Sequence, residues 1–205
     1  MAASSESPVP MSQMVAVVGQ QFFSPDTMAL TVSKKPSASN GDYVVSDVNG
    51  IILLNVEGRL FSLTHCRVLC DAAGTSIISM RKEPFPFSMH QRCNVYRGNS
   101  NNQRDLLFTV KKARILQSQT ELNVYLARNT AEQHCDFKVK GSWFERSWIF
   151  YLGDSNTIIA HMSCKFELKS VLLGMDTFKV TVYPNVDYAF IVAIIVILDE
   201  MHREY

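Results

Sequence analysis

A chain of 205 residues falls within the size of one domain, and such a domain can bury a core that holds its fold without disulfides or metals. Hydrophobic residues make up 47% of the chain and charged residues 19%, which is a globular composition. With 20 basic and 19 acidic residues the formal net charge is +1, so no global field attracts nucleic acid or an anionic membrane. Any basic binding site must therefore be a local patch.

The cysteines favour a reducing compartment. There are five of them, an odd number with no C-x-x-C pair, so neither a disulfide framework nor a zinc knuckle is expected. Cys66 and Cys70 are predicted to share one face of a strand as small core hydrophobes. The N-terminal residues carry no secretion signal and no myristoylation motif. We expect an intracellular, cytoplasmic location, with a peripheral position at a membrane or the nucleus as alternatives.

The first residues differ in composition from the rest. Residues 1–26 are rich in Ser, Pro, Gln and Met, and they are predicted to form a mostly disordered tail in which the apolar run Met14–Val18 adds at most one strand. A single domain is then expected over residues 27–205.

From residue 27 onward, short strand patterns alternate with turn signals. The clearest is Asn49-Gly50 between two β-branched runs, which indicates a hairpin. The predicted strands are 27–35, 42–46, 51–56, 67–70, 76–80, 94–97, 106–111, 122–127, 134–140, 146–152, 157–164 and 178–183. Short strands at a spacing of about 8–12 residues indicate a mainly β fold, either a sandwich or a barrel.

The C-terminal run breaks this pattern. Tyr188–Leu198 is apolar without interruption, and it is flanked by Asn185 as a candidate N-cap and by His202 and Arg203 near its end. We predict a helix, although Asp199 and Glu200 oppose the helix dipole. A helix of about 17 Å is too short to span a hydrocarbon core of about 30 Å, and one that is apolar all round must be buried on all sides. The predicted place for it is inside a closed sheet.

Four segments carry a resemblance to a known family. They are residues 67–82 (RVLCDAAGTSIISMRK), 94–112 (NVYRGNSNNQRDLLFTVKK), 135–151 (CDFKVKGSWFERSWIFY) and 181–204 (TVYPNVDYAFIVAIIVILDEMHRE). In these segments the chain resembles the plant LURP-one-related proteins over residues 27–204. The last segment is the most specific, because Y-P-N-x-D-Y-A-F before an apolar run rarely arises by chance.

The resemblance implies a fold and a set of functional expectations. The fold is a closed twelve-stranded antiparallel β-barrel around a central hydrophobic C-terminal helix, similar to the C-terminal domain of tubby proteins and to phospholipid scramblases. In the central helix the core is expected to be formed by Tyr188, Phe190, Ile191, Ile194, Ile195, Ile197 and Leu198. The family implies a link to plant defence without a settled activity, and its tubby relatives imply phosphoinositide binding as an analogy of fold.

Catalytic and metal-binding patterns are weak. Gly153-Asp154-Ser155 is similar to the start of an esterase motif, but it lies between two strand patterns and is predicted to be a turn. The five histidines have no metal-ligand spacing. A calcium loop like that of scramblases would occupy residues 176–187, where Phe178 and Val180 stand at ligand positions. We therefore expect no catalytic residue, no metal and no cofactor.

Basic residues form three candidate sites for an anionic headgroup, which needs several converging cations. The first contains Lys138, Lys140 and Arg146, with Trp143 and Phe144 able to enter a lipid interface. The second contains Lys111, Lys112 and Arg114, and the third contains Arg81 and Lys82. The alternative is that these are ordinary solvated or paired surface charges.

The leading prediction is a non-catalytic binding or scaffold protein that contacts anionic phospholipid headgroups and as yet unknown protein partners. One alternative is a membrane-tethered or protein-interaction factor acting in transcription. A scramblase-like lipid protein is the other. No direct nucleic-acid binding and no transmembrane span are expected.

Overall fold

The computed structural model describes residues 14–35, 42–58, 66–83, 91–113, 119–164 and 177–203. In these ranges twelve strands precede one α-helix, α1. The strands are β1 (Met28–Lys34), β2 (Tyr43–Ser46), β3 (Ile52–Gly58), β4 (Cys66–Asp71), β5 (Ser76–Lys82), β6 (Arg92–Arg97), β7 (Leu106–Lys112), β8 (Thr120–Leu126), β9 (Phe137–Ser142), β10 (Ser147–Leu152), β11 (Ile158–Cys164) and β12 (Thr177–Val182). Helix α1 is Tyr188–Arg203.

The strands close into a barrel. Each strand pairs antiparallel with its neighbours in sequence, and β12 returns to pair with β1, from Met28 opposite Val182 to Ser33 opposite Thr177. Closure pairs both edges of every strand, which removes the open edges of a sandwich. The closed twelve-stranded antiparallel barrel expected from the resemblance is confirmed.

One predicted hairpin is shifted. The sequence predicted strands at 134–140 and 146–152, which left Gly141 and Ser142 in the turn region between them, but β9 runs from Phe137 to Ser142. Gly141 and Ser142 pair in register with Trp148 and Ser147, and the turn itself is 143–146. The glycine marks a close packing contact with Trp148 and not a turn.

The interior is filled by inward-facing strand residues and by the helix. Leu30, Val32, Leu54 and Val56 alternate with more exposed neighbours and are at most 2% exposed. Every residue from Ala189 to Leu198 is at most 1% exposed. All predicted central-helix residues lie on α1: Tyr188, Phe190, Ile191, Ile194, Ile195, Ile197 and Leu198. Tyr188, at the start of the helix, is the partly exposed one.

Aromatic contacts fix the first turn of the helix in the barrel. The Phe190 ring lies 5.1 Å from that of Phe108 and 4.8 Å from that of Phe137, measured between centroids. Both partners are inward-facing residues of the wall, on β7 and β9. Tilted and edge-on ring pairs of this kind add to the stabilisation that comes from burial alone.

The cysteines behave as apolar core residues. Cys66 and Cys70 are buried as predicted, but they pack with Val68 in a small cluster apart from the interior core. Cys93 lies in the interior core, where burial raises the pKa of its thiol well above the ordinary value. A thiol held in its neutral form is a poor nucleophile.

Residues 14–26 do not form the disordered tail predicted for residues 1–26; residues 1–13 of that prediction lie outside the described residues. Val15, Val18 and Phe22 are at most 7% exposed and belong to the interior core. Val15 forms a parallel bridge with Val186 just before the helix, and the ring of Phe22 meets that of Tyr188 edge-on at 5.6 Å. The domain therefore begins before residue 27.

A buried carboxylate joins this N-terminal segment to the helix. Oδ2 of Asp187 accepts the backbone N–H groups of Val17, Val18 and Gly19 at 3.3, 2.7 and 3.0 Å. Its Oδ1 accepts the N–H of Phe190 at 3.0 Å, so Asp187 is the N-cap of α1. The prediction of Asn185 as the cap was wrong, because Asn185 adopts a left-handed conformation with φ of 62° two residues earlier.

Burial raises the pKa of Asp187 above the ordinary aspartate value, and the backbone N–H donors oppose that rise. The folded protein thus holds the Asp187 proton more tightly than the unfolded chain does. The stability from this carboxyl is full below the unfolded pKa of about 3.9 and is lost as pH rises through the folded pKa.

We therefore predict that Asp187→Asn, which cannot titrate, loses less unfolding free energy between acid and neutral pH than the wild type loses. The substitution also removes one acceptor oxygen, which lowers stability by a similar amount at every pH. Chemical unfolding of both proteins across that pH range measures the difference. Parallel pH profiles for the two proteins would show that Asp187 does not titrate in this way.

Candidate functional site at the rim of the barrel

The end of the barrel where α1 terminates is called the rim here. It is formed by the last residues of the odd-numbered strands and the first residues of the even-numbered strands. Of the strand connections at this end, the 143–146 turn is the one that lies within the described residues. Arg114, which the sequence placed in a basic site, lies outside them.

Two acidic residues at the end of α1 bind the barrel wall. The hydroxyl of Tyr43 donates a hydrogen bond to Oδ2 of Asp199, and both residues are at most 2% exposed. The guanidinium of Arg67 forms an ion pair with Glu200. These partners offset the unfavourable position of two carboxylates at a helix C-terminus. They also allow the helix to continue to Arg203, beyond the predicted end of the apolar run.

The next two helix residues meet the wall farther around the barrel. Nζ of Lys112 on β7 donates to the main-chain carbonyl of Met201 at 3.4 Å. The ring of His202 stacks on the indole of Trp143, with centroids 3.9 Å apart and planes at 15°. Together with Asp199 and Glu200, these two residues make four contacts that follow strand order around the wall, from β2 to the β9–β10 turn. The four contacts fix both the rotation of the helix and its depth in the barrel.

Two lysines face inward at this end. Burial lowers the pKa of Lys82 from the ordinary lysine value, and the charge of Glu200 partly opposes that change. Burial also lowers the pKa of Lys112, and the positive charge of Lys82 lowers it further. Cations at the end of α1 are favoured by the helix dipole. The rim thus contains two positive charges that are close enough to repel one another.

The β9–β10 turn is a rigid support for an exposed aromatic side chain. A Cβ atom on Gly141 would overlap the Ser147 carbonyl and the Trp148 ring, so only glycine fits at this position of β9. Oγ of Ser142 accepts the backbone N–H of Phe144 at 3.2 Å. The Trp143 ring meets the fully buried Trp148 at 4.4 Å, and Phe144 is left 92% exposed.

The first predicted basic site is divided by the structure. Lys138 pairs with Asp154 and lies 3.8 Å from Glu121, and the hydrogen bond to Asp154 raises the pKa of Lys138. Lys140 is exposed and forms no ion pair with the described residues. Arg146 is half-buried in the turn beyond it. Lys140 and Arg146 lie on either side of the Trp143–Phe144 turn, and the charge of Lys138 is largely neutralised by Asp154.

The second and third predicted sites are split between the two faces of the wall. Lys111 points outward to Glu132 and lies 5.4 Å from the Tyr125 ring, whereas Lys112 points inward to α1. Arg81 donates to the Ser100 carbonyl at 3.1 Å, whereas Lys82 faces the interior. Adjacent residues of a strand point to opposite faces, and sequence adjacency therefore overstated these clusters.

A hydroxyl–imidazole pair was missed in the sequence. Oγ of Ser147 lies 2.9 Å from Nε2 of His161 across β10 and β11. The strands on both sides use their backbone N–H groups in the sheet ladder, so these groups do not form an oxyanion hole. The pair is best explained as a cross-strand contact. In the described ranges no group of three or more His, Cys, Asp or Glu residues is placed to hold a metal ion.

The architecture defines a class of protein, a closed antiparallel barrel of twelve strands that encloses its C-terminal helix. The family model described as LURP-one-related matches residues 28–199. The chain therefore belongs to the LURP-one-related family.

Named relatives agree with this assignment. Protein LURP-one-related 15 of Arabidopsis thaliana is 46% identical over 98% of this chain and 91% of its own length. Protein LURP1 of the same plant is 41% identical over 94% of this chain and 93% of its own length. An X-ray structure of an Arabidopsis thaliana protein is similar with a TM-score of 0.72 and 40% identity, covering 91% of this chain and 98% of that one.

The rim contacts lead to a stability prediction. Tyr43→Phe removes the hydroxyl that donates to Asp199, whose carboxylate is only 2% exposed. The substitution should lower the unfolding free energy by about 1–3 kcal/mol. Chemical unfolding measures this loss. The matched comparison is Tyr43→Phe in an Asp199→Ala background, which has no side-chain acceptor and where the loss should be much smaller. An equal loss in both backgrounds would mean that the hydroxyl does not hold Asp199.

Proposed function

We propose that this protein is a non-catalytic binding module that docks its rim on anionic membrane surfaces and there contacts phosphorylated headgroups such as those of phosphoinositides. The observation that carries the proposal is the turn containing Phe144, which is 92% exposed between Lys140 and Arg146. An exposed aromatic side chain next to cations suits the boundary between headgroups and acyl chains.

The charge of the rim supports this proposal. In the described residues, basic side chains at or near the rim outnumber acidic ones. The basic residues are Lys34, Lys35, Arg67, Arg81, Lys82, Arg92, Lys111, Lys112, Lys140 and Arg146, and the acidic residues are Asp42, Glu57, Glu83, Glu121, Glu145, Asp199 and Glu200. Glu132 also reaches this end, where it pairs with Arg92 and Lys111, and Arg67 pairs with Glu200. With Glu132 included, the described basic residues still outnumber the acidic ones by ten to eight. The near-neutral net charge thus conceals a basic end.

Each group has a distinct role in the proposed contact. Phe144 enters the interface, and Trp143, which is held by Trp148 and His202, keeps the turn in place. Lys140 and Arg146 meet headgroup phosphates beside it. Lys82 and Lys112 face inward at the rim, where a phosphate group would favour the charged forms that burial disfavours.

The geometry of the rim does not bear on the other predicted functions. No helix in the described ranges is long and apolar enough to cross a membrane. A role in plant defence, a partner in transcription and a scramblase-like activity remain predictions, because they concern pathways and partners and not the arrangement of the rim.

The lipid proposal predicts that two rim variants bind anionic vesicles more weakly. Phe144→Ser removes the apolar contact, and the double variant Lys140→Ala with Arg146→Ala removes two charges. Each lost cation near an anionic surface costs about 1 kcal/mol, or about fivefold in affinity. Flotation with phosphatidylcholine vesicles, with and without phosphoinositide, measures binding at fixed salt.

Matched controls lie at the opposite end of the barrel. Arg104→Ala and Arg128→Ala each remove an exposed cation, from the β6–β7 and β8–β9 connections. Both, alone and combined, should bind as the wild type does. The proposal is wrong if the wild type ignores phosphoinositide vesicles, or if the rim variants and the controls bind them equally well.

A further inference from the structure

The end opposite the rim, called the base here, presents a second exposed apolar surface. Of the large hydrophobic residues that are exposed in the described ranges, Phe144 lies at the rim and all others lie at the base. Val48 and Ile51 lie in the β2–β3 turn and Ile52 begins β3; they are 75%, 60% and 47% exposed. Met14, which is 58% exposed, precedes the bridge to Val186 at the same end.

This apolar tip is held in a fixed shape. Oδ1 of Asp47 accepts the backbone N–H groups of Asn49 and Ile51 at 2.9 and 2.8 Å, and Gly50 supplies the left-handed conformation with φ of 81°. The next turn has the same design, because Oδ1 of Asp71 accepts the N–H groups of Ala73 and Thr75. A preformed surface loses little conformational entropy when it is covered.

The base is acidic where the rim is basic. Its carboxylates lie in or beside the strand connections, at Asp26, Asp47, Asp71, Asp105, Asp136 and Asp154. Arg97, Arg104, Arg128 and Lys138 are the described basic residues at this end, and Lys138 is already paired with Asp154. The two ends of one molecule therefore carry complementary charges around exposed apolar tips.

We propose that the base is a docking surface for the rim of a second copy of this chain. Phe144 of one molecule packs against Val48, Ile51 and Ile52 of the next, and Lys140 and Arg146 approach the carboxylates of Asp47 and Asp71. Each pair of surfaces is small and polar at its margin, so the association is weak and reversible. Because the contact joins two different surfaces, it propagates head to tail and does not close as a twofold dimer.

Blocking one end at a time tests this arrangement. The base-blocked variant carries Val48→Asp and Ile51→Asp, and the rim-blocked variant carries Lys140→Glu and Phe144→Asp. All four side chains are exposed, so both variants should keep the wild-type melting temperature. Sedimentation velocity over a range of protein concentrations, at low and high salt and without lipid, measures association.

The wild type should form a series of oligomers that shorten as salt rises, because screening weakens the charge contact. Each blocked variant alone should stay monomeric. An equimolar mixture should stop at a dimer, because only one functional base and one functional rim meet. If folding of the aspartate variants fails, Val48→Ser with Ile51→Ser and Phe144→Ser replace them with the same expectations.

Several results would overturn the proposal. They are a wild type that is monomeric at every concentration, a blocked variant that still associates alone, and a mixture of variants that stays monomeric. Association of the rim-blocked variant alone would indicate a base-to-base dimer. Because no vesicles are present, each of these results leaves the proposed membrane contact unaffected.

Discussion

The helix α1 has no polar face, and this constrains the rest of the molecule. Its residues from Ala189 to Leu198 are apolar and contain many β-branched side chains, which are poor helix formers in isolation. Such a helix is stable only when every side is covered. Burying these side chains contributes about 15–30 kcal/mol, which opposes the conformational entropy lost when distant strands close into a barrel. Closure between β1 and β12 supplies the last side of the covering wall.

Because the middle of the helix is uniformly apolar, its position along the barrel axis depends on polar contacts at the two ends. At the base, the Asp187 carboxylate binds the helix start and the segment at residues 17–19 together. At the rim, consecutive residues of the last turns contact β2, β4, β7 and the β9–β10 turn, which are spread around the wall. The packing of Phe190 against Phe108 and Phe137 resists sliding and rotation of the helix, and the polar contacts at both ends add directional constraints to that packing. They also make the two ends chemically different, and the proposed surfaces follow from that difference.

Much of this fold was predictable from local patterns. Asn49-Gly50, the spacing of short strands and the apolar terminal run indicated hairpins and a buried helix. The number of strands and their closure came from the resemblance. The packing of residues 14–26 was not predictable, because it depends on Val18, Phe22 and a carboxylate that is distant in sequence. The same is true of the N-cap, since Asn185 and Asp187 are both good capping residues and only the backbone conformation separates them.

The candidate site was predictable only in part. Clusters of basic residues in sequence separated in the structure, because neighbours on a strand point to opposite faces and acidic partners come from other strands. Lys138 on β9 shows this most clearly, because its partner Asp154 lies 16 residues further along the chain, in the turn after β10. The sequence predicted that Trp143 and Phe144 could enter a lipid interface, and this stays a prediction. The structure leaves Phe144 exposed and packs Trp143 on Trp148 and His202. The close contact between Gly141 and Trp148 beneath this turn was not predictable, because it depends on the pairing of β9 with β10.

Removal of the helix tests most directly whether the barrel depends on it. A chain ending at residue 186 keeps all twelve strands and loses both α1 and the Asp187 carboxylate. This truncated chain should aggregate and show no cooperative thermal transition by circular dichroism, because its interior is empty. A soluble truncated chain with a cooperative β-sheet unfolding transition would contradict the claim that the apolar helix holds the barrel together.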